Sequence, residues 1–194
     1  MRSYEFIPEV EQLTHITKKK GKQSKADPTT RQELIDMGAK MVGKMSSGHE
    51  IWEEPVHGAY NNWVSYDAVN PNGLVDLTVG ANEKKNVMRD LNLYAINPNN
   101  TLKAHNFYAY LITKLNKVLV ASQQSSGGEN VWVQLQRFHH NTIDIHGWLN
   151  GKPVNVDMRD REQTHAPDPG WPENNKQPQE VKDARKMELV AYKK

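Results

Sequence analysis

Cysteine is missing from all 194 residues of this chain, so disulfides and thiolate metal sites are excluded. Long hydrophobic runs are missing too. Nothing approaches the roughly 20 apolar residues of a membrane helix, and no membrane association is expected. The opening text, "MRSYEFIPEVEQ", lacks the apolar core of a signal peptide. An excess of one charge is lacking as well. The formal net charge is +2, too small to argue for a nucleic-acid partner, because phosphate binding needs a clustered basic surface. Several chemistries lose their signatures in the same way. There is no HExxH or comparable metal spacing, no GxSxG and no Walker-type glycine loop, so no metal is expected. What remains fits a polar globular protein inside a cell, or in a particle assembled there.

The chain punctuates itself clearly in places. Residues 1–17 suggest a short strand and turn, followed by the basic linker "KKKGKQSKADP". A charge run of this kind is ordinarily a solvated loop. Its functional reading is an arm whose Lys18, Lys19, Lys20, Lys22 and Lys25 touch phosphates. Thr30 and Glu33 have capping-box spacing, and Leu34, Met37, Met41 and Met45 recur at three and four. A helix over 30–46 is expected, ended by "SSG".

Strands are expected next. "HEIWEE" is short, and "NNWVSYDAV" alternates Trp63, Ser65 and Asp67 against Val64, Tyr66 and Ala68. "NPNG" at 70–73 is a turn, and "LVDLTVGA" completes a hairpin. A polar loop, "NEKKNVMRD", leads into the strand "LNLYAINP". "TLKAHNFYAYLITKLN" reads as a helix through Phe107, Leu111 and Leu115, and "KVLVAS" as a strand buried on both faces. Ser126 and Glu129 form a second capping box, and Val131, Trp132, Leu135 and Phe138 are that helix's expected buried stripe. "NTIDIHGW" is a strand, and Asn150-Gly151 turns it into "KPVNVDM". From Arg159 onward the text is polar and broken by Pro167, Pro169, Pro172 and Pro178. Such a segment has little to bury and is expected to be an extended tail, held by the body or by a neighbour. "KMELVAYKK" could end it in a short strand.

Chemistry-bearing residues are scattered. His49, His57 and His146 could converge in space. "HIT" (His15, Thr17) and "HNT" (His140, Thr142) resemble the paired motifs of two-histidine phosphoesterases. In that family the histidines exchange protons with a phosphate ester from inward-facing strands. Here the first motif runs into "KKK" and the second begins at a helix–strand junction, so both read as chance. "SSGG" opens a helix whose amides could hold an anion, but Ser-x-x-Glu already accounts for those amides.

The order of elements from 61 to 148 is strand, strand, strand, helix, strand, helix, strand. It resembles the GNAT superfamily of acyl-CoA-dependent N-acetyltransferases. The closest passage is "YAYLITKLNKVLVASQQSSGGENVWVQL", similar to the GNAT-like proteins of bacteriophage genomes with their Ser-rich turn and Gly-Gly-x-x-aliphatic-Trp-x-x-Leu text. The resemblance implies an α/β fold, a mixed, mostly antiparallel central sheet with flanking helices; with the N-terminal helix added, the domain is expected to span 1–158, followed by the extended tail over 159–194. It also implies an acetyl-CoA site at the loop where the central strand meets the next helix. The following strand would splay away to admit the cofactor.

Carried onto this chain, that loop is Asn99, Asn100, Thr101, Leu102, Lys103 and Ala104. The family's basic residue becomes Asn99 and its glycine becomes Leu102. A leucine there would occupy space the diphosphate needs and restrict the backbone. Lys103 could restore charge but not close approach. The family's tyrosine general acid falls at Trp132, whose indole has no useful acidity.

The leading expectation is therefore a phage-type GNAT-like protein without acetyl transfer or bound cofactor. It would act in the host cytoplasm or phage particle through a protein partner or its own copies, held by the tail. On this expectation, deleting 160–194 leaves a folded monomer that no longer assembles. The alternative is an active N-acetyltransferase with Asn99, Asn100, Thr101, Lys103 and Ala104 at acetyl-CoA, and Glu53, Asp67, Asp76 or His57 as candidate bases. A weaker alternative is a nucleic-acid binder using the lysines of 18–25.

Overall fold

A computed structural model describes residues 29–55, 62–97, 99–121, 126–149, 152–156 and 188–194. Among these, three helices accompany a nine-stranded sheet in the order β1-β2-β3-β4-β5-β6-β9-β7-β8. The strands are β1 (Lys40–Lys44), β2 (Glu50–Pro55), β3 (Trp63–Val69), β4 (Val75–Lys84), β5 (Val87–Ala95), β6 (Val118–Ala121), β7 (Ile143–Leu149), β8 (Lys152–Val154) and β9 (Glu188–Lys193). The helices are α1 (Arg31–Asp36), α2 (Ala104–Thr113) and α3 (Ser126–His139). This is an α/β chain with a mixed, mostly antiparallel sheet. It divides into two compact units, Met1–Gly80 with Asn92–Leu102, and Ala81–Leu91 with Lys103–Lys194.

In the first unit, Thr30 caps α1 as its spacing predicts. Its hydroxyl accepts from the Glu33 amide while Glu33 reaches back to the Thr30 amide. The helix does not run to 46. It ends at Asp36, because Gly38 adopts φ +85° and closes a Schellman motif: Gly38 N–H donates to Ile35 O and Ala39 N–H to Leu34 O. The next five residues are strand β1 instead, with a register shift between Met41 and Gly43. Met37 and Met41 are exposed rather than part of an apolar helix face. Leu34 alone enters the core of this unit, where it meets Trp52, Val69 and Val75.

The expected loop at 82–90 is also corrected. β4 continues to Lys84, and Lys85 and Asn86, at φ +53° and +65°, form a two-residue turn into β5. Two consecutive left-handed residues match the twist of a tight hairpin.

In the second unit, β5 pairs in parallel with β6 at Val87↔Val118 and Met88↔Leu119. From Arg89 onward β5 has no ladder partner in β6. Asp90, at φ +54°, interrupts the extended backbone just after the last pair. β9 lies between β6 and β7, antiparallel to both. It buries Leu189 and Ala191, so the end of the chain is an interior strand of its own sheet. α2 and α3 meet through Tyr108 and Trp132, whose rings stand edge to face at 6.3 Å. Phe138 does not complete the buried stripe of α3. It is 57% exposed, stacked on His105 at 5.2 Å with the Arg137 guanidinium 5.3 Å from its ring centre.

Candidate functional site

Three places bring chemically useful groups together. The first is the loop at 97–102, in the first unit. Asn97 and Asn100 use their side chains on their own backbone: Asn99 N–H donates to Asn97 Oδ1 at 2.9 Å and Leu102 N–H to Asn100 Oδ1 at 2.6 Å. Asn100 N–H donates to Asn97 O at 3.0 Å. These local turns are what Asn does best outside helices. Asn97 is also stapled from behind, its Nδ2 donating to Asp76 Oδ1 at 2.7 Å. Leu102 is 6% exposed, so its side chain is turned into the protein rather than standing on the surface. The steric objection to a diphosphate therefore moves from the leucine side chain to the backbone, where the amides of Asn99, Asn100 and Leu102 are already engaged.

The second place is the start of α2, in the second unit. Lys103 is the N-cap and supplies no side-chain cap. A cavity of about 650 Å³ opens here, lined by Lys103, Ala104, His105 and Asn106 together with α3 residues that include Gln134 and Phe138. Of the five residues expected at acetyl-CoA, Lys103 and Ala104 line it. Asn99, Asn100 and Thr101 do not.

At the cavity, His139 Nε2 lies 3.2 Å from both His105 Nδ1 and Asn106 Oδ1. An amide oxygen only accepts, so His139 Nε2 carries the hydrogen and His105 Nδ1 receives it. Both rings resist protonation. Burial lowers the pKa of each below 6.5, and the neighbouring His139 and Lys103 lower that of His105 further. The pair is thus neutral and polar, with His105 on the cavity wall near the exposed Lys103, suited to an uncharged polar or anionic group.

The third is the polar interior of the first unit. Burial pushes Asp67 up to about 7, opposed by its hydrogen bond from Thr78, assisted by the nearby Glu54 charge and opposed further by the Ser65 hydroxyl. Its Oδ2 is buried with no hydrogen-bond partner among the described residues. His49 and Asp76 form a buried pair, Nε2 to Oδ2 at 3.0 Å.

Of the other candidate bases, Glu53 is bound to the Tyr66 hydroxyl at 3.0 Å, and His57 lies outside the described residues. So do His15, the lysines of 18–25, and the side chains of Ser126 and Glu129. His140 and Thr142 are exposed in the turn after α3. Trp132, at the expected tyrosine position, is 2% exposed. His146 stacks on Tyr192 at 5.8 Å, in the second unit. Among the described residues, no cluster of three or more His, Asp or Glu is placed to hold a metal.

Sequence reasoning missed Asn97 and the His105–His139 pair. Asn97 left a signal, since "INPNN" is dense in residues that bond their own backbone. The histidine pair left none, because its members are 34 positions apart. Compared with protein-family models, curated proteins and solved structures, the chain matches none.

Proposed function

We propose that this chain is a GNAT-like protein that no longer transfers acetyl groups and works by contact with other proteins. Its place would be a virion, a virion-assembly step, or a host factor that it binds. One observation carries the loss of transfer: the amides of Asn99, Asn100 and Leu102 are all engaged within their own loop. A diphosphate bound on a backbone cradle needs such donors free. Freeing them would break two Asn caps and loosen the Asn97–Asp76 bond behind them.

Calorimetric titration of the full chain with acetyl-CoA tests this. No saturable heat is expected. Saturable binding that disappears on substitution of Asn99 or Lys103 would sink the proposal in favour of an acetyltransferase. The tail is tested separately. Because β9 is an interior strand, deleting all of 160–194 would damage the sheet, contrary to the sequence expectation of an intact monomer. Replacing 160–185 with a Gly/Ser segment of equal length spares β9. Loss of assembly with the fold retained supports the tail's role, and normal assembly removes it.

The acetyltransferase reading keeps a specific observation in its favour. The β5–β6 ladder stops after two pairs, as expected where strands part for a cofactor.

A further inference from the structure

Ser47 sits two residues before His49, in the turn from β1 to β2. The turn is held firmly: Met45 N–H donates to His49 O at 2.8 Å, and Gly48 N–H to Met45 O at 2.9 Å. Gly48 takes φ +88°, and an added Cβ would meet Pro71 at 3.3 Å. The Ser47 side is exposed, whereas His49 and Asp76 behind it are 4% and 2% exposed. Ser47 Oγ is 2.9 Å from His49 Nδ1, and His49 Nε2 is 3.0 Å from Asp76 Oδ2. The other oxygen, Asp76 Oδ1, accepts from Asn70 Nδ2 at 2.8 Å and from Asn97 Nδ2 at 2.7 Å.

Asp76 fixes the hydrogen at one nitrogen of the ring. A carboxylate only accepts, so His49 Nε2 carries the hydrogen that Asp76 receives. In the tautomer with hydrogen on Nε2 alone, Nδ1 holds a lone pair into which the Ser47 hydroxyl donates. A surface hydroxyl thus faces a base whose far side is anchored on a buried carboxylate, itself oriented by two amides. Roles and geometry, not sequence position, define a hydroxyl–imidazole–carboxylate relay.

We propose that Ser47 is an activated nucleophile that accepts an acyl group from an activated carboxylic ester. Ser47 Oγ bonds to the carbonyl carbon as its proton passes to His49 Nδ1. The ester C–O bond breaks, and the same proton leaves with the departing alcohol. Water, deprotonated by Nδ1, then releases the carboxylic acid and restores the serine. One ester and one water give one acid and one alcohol, with no change of oxidation state. The step uses the first unit alone and stands whether or not acetyl-CoA binds elsewhere.

The full chain treated with a fluorophosphonate probe, followed by peptide mass spectrometry, provides the test. Ser46 is the internal control: adjacent and exposed, with no imidazole bonded to it among the described residues. Labelling at Ser47 is expected to be about 100-fold faster than at Ser46, the lower range for general-base assistance. His49→Gln should remove most of that ratio, and Ser47→Ala should abolish the adduct and any hydrolysis of p-nitrophenyl acetate. Equal labelling of the two serines in the unmodified protein, or none, overturns the proposal, and neither result depends on a variant's folding.

Discussion

Thr78 donates a hydrogen bond to Asp67 from the neighbouring strand, and leaves the second oxygen of that carboxyl buried without a partner among the described residues. The pairing satisfies half of a group that water would otherwise satisfy completely. The ionised form is therefore penalised, and the proton is held until about pH 7.

Stability should consequently depend on pH through this one residue. Below the unfolded value, near 3.8, both states hold the proton and the native state bears no penalty. As pH rises toward about 7, the unfolded state ionises first and stability falls. Above that the loss is complete, up to about 4 kcal/mol for a shift of this size. Urea denaturation at pH 5 and pH 8 should show the decline, and Asp67→Asn should flatten it.

Gly80 should not tolerate a side chain. A Cβ there would meet Trp63 Cζ2 at 3.1 Å and Nε1 at 3.3 Å. The indole would have to give by a few tenths of an ångström, so Gly80→Ala is expected to cost about 1 kcal/mol, the low end of overpacking. The midpoint of thermal unfolding checks it.

The histidine pair should titrate low. Protonating either ring puts a cation in a partly buried place, and for His105 one near Lys103 as well. Imidazole resonances of His105 and His139 should move with midpoints below 6.5. Replacing His139 by Gln removes one source of repulsion and should raise the His105 midpoint.

Strand β9 should be structural. Leu189 is 2% exposed between β6 and β7, and Leu189→Ala is expected to cost about 2–5 kcal/mol. Removing 188–194 should expose unpaired strand edges and promote aggregation, readable by light scattering.

Local features were legible wherever neighbours in sequence decide them. Thr30 and Glu33 announced their cap at three residues' separation, and "NPNG" announced the turn that Gly73 makes at φ +83°. The methionine spacing at 37, 41 and 45 misled, because a periodic stripe implies a helix only if the backbone is free to continue one. Gly38 at φ +85° stops it. Phe138 had the right spacing for burial but fell on the last turn of α3, where stacking on His105 leaves it more than half exposed.

What the sequence determined by itself was the chemistry on offer: no thiol, little net charge, two strong turns, two capping-box spacings, and a loop at 99–104 without glycine. Which groups would matter was decided in three dimensions. Asp67 and Asp76 share one strand-rich region and one residue type, yet Asp76 receives two amides and an imidazole, while Asp67 is left half satisfied. The difference comes from partners as far as 27 positions away, and burial makes each missing or present hydrogen bond count.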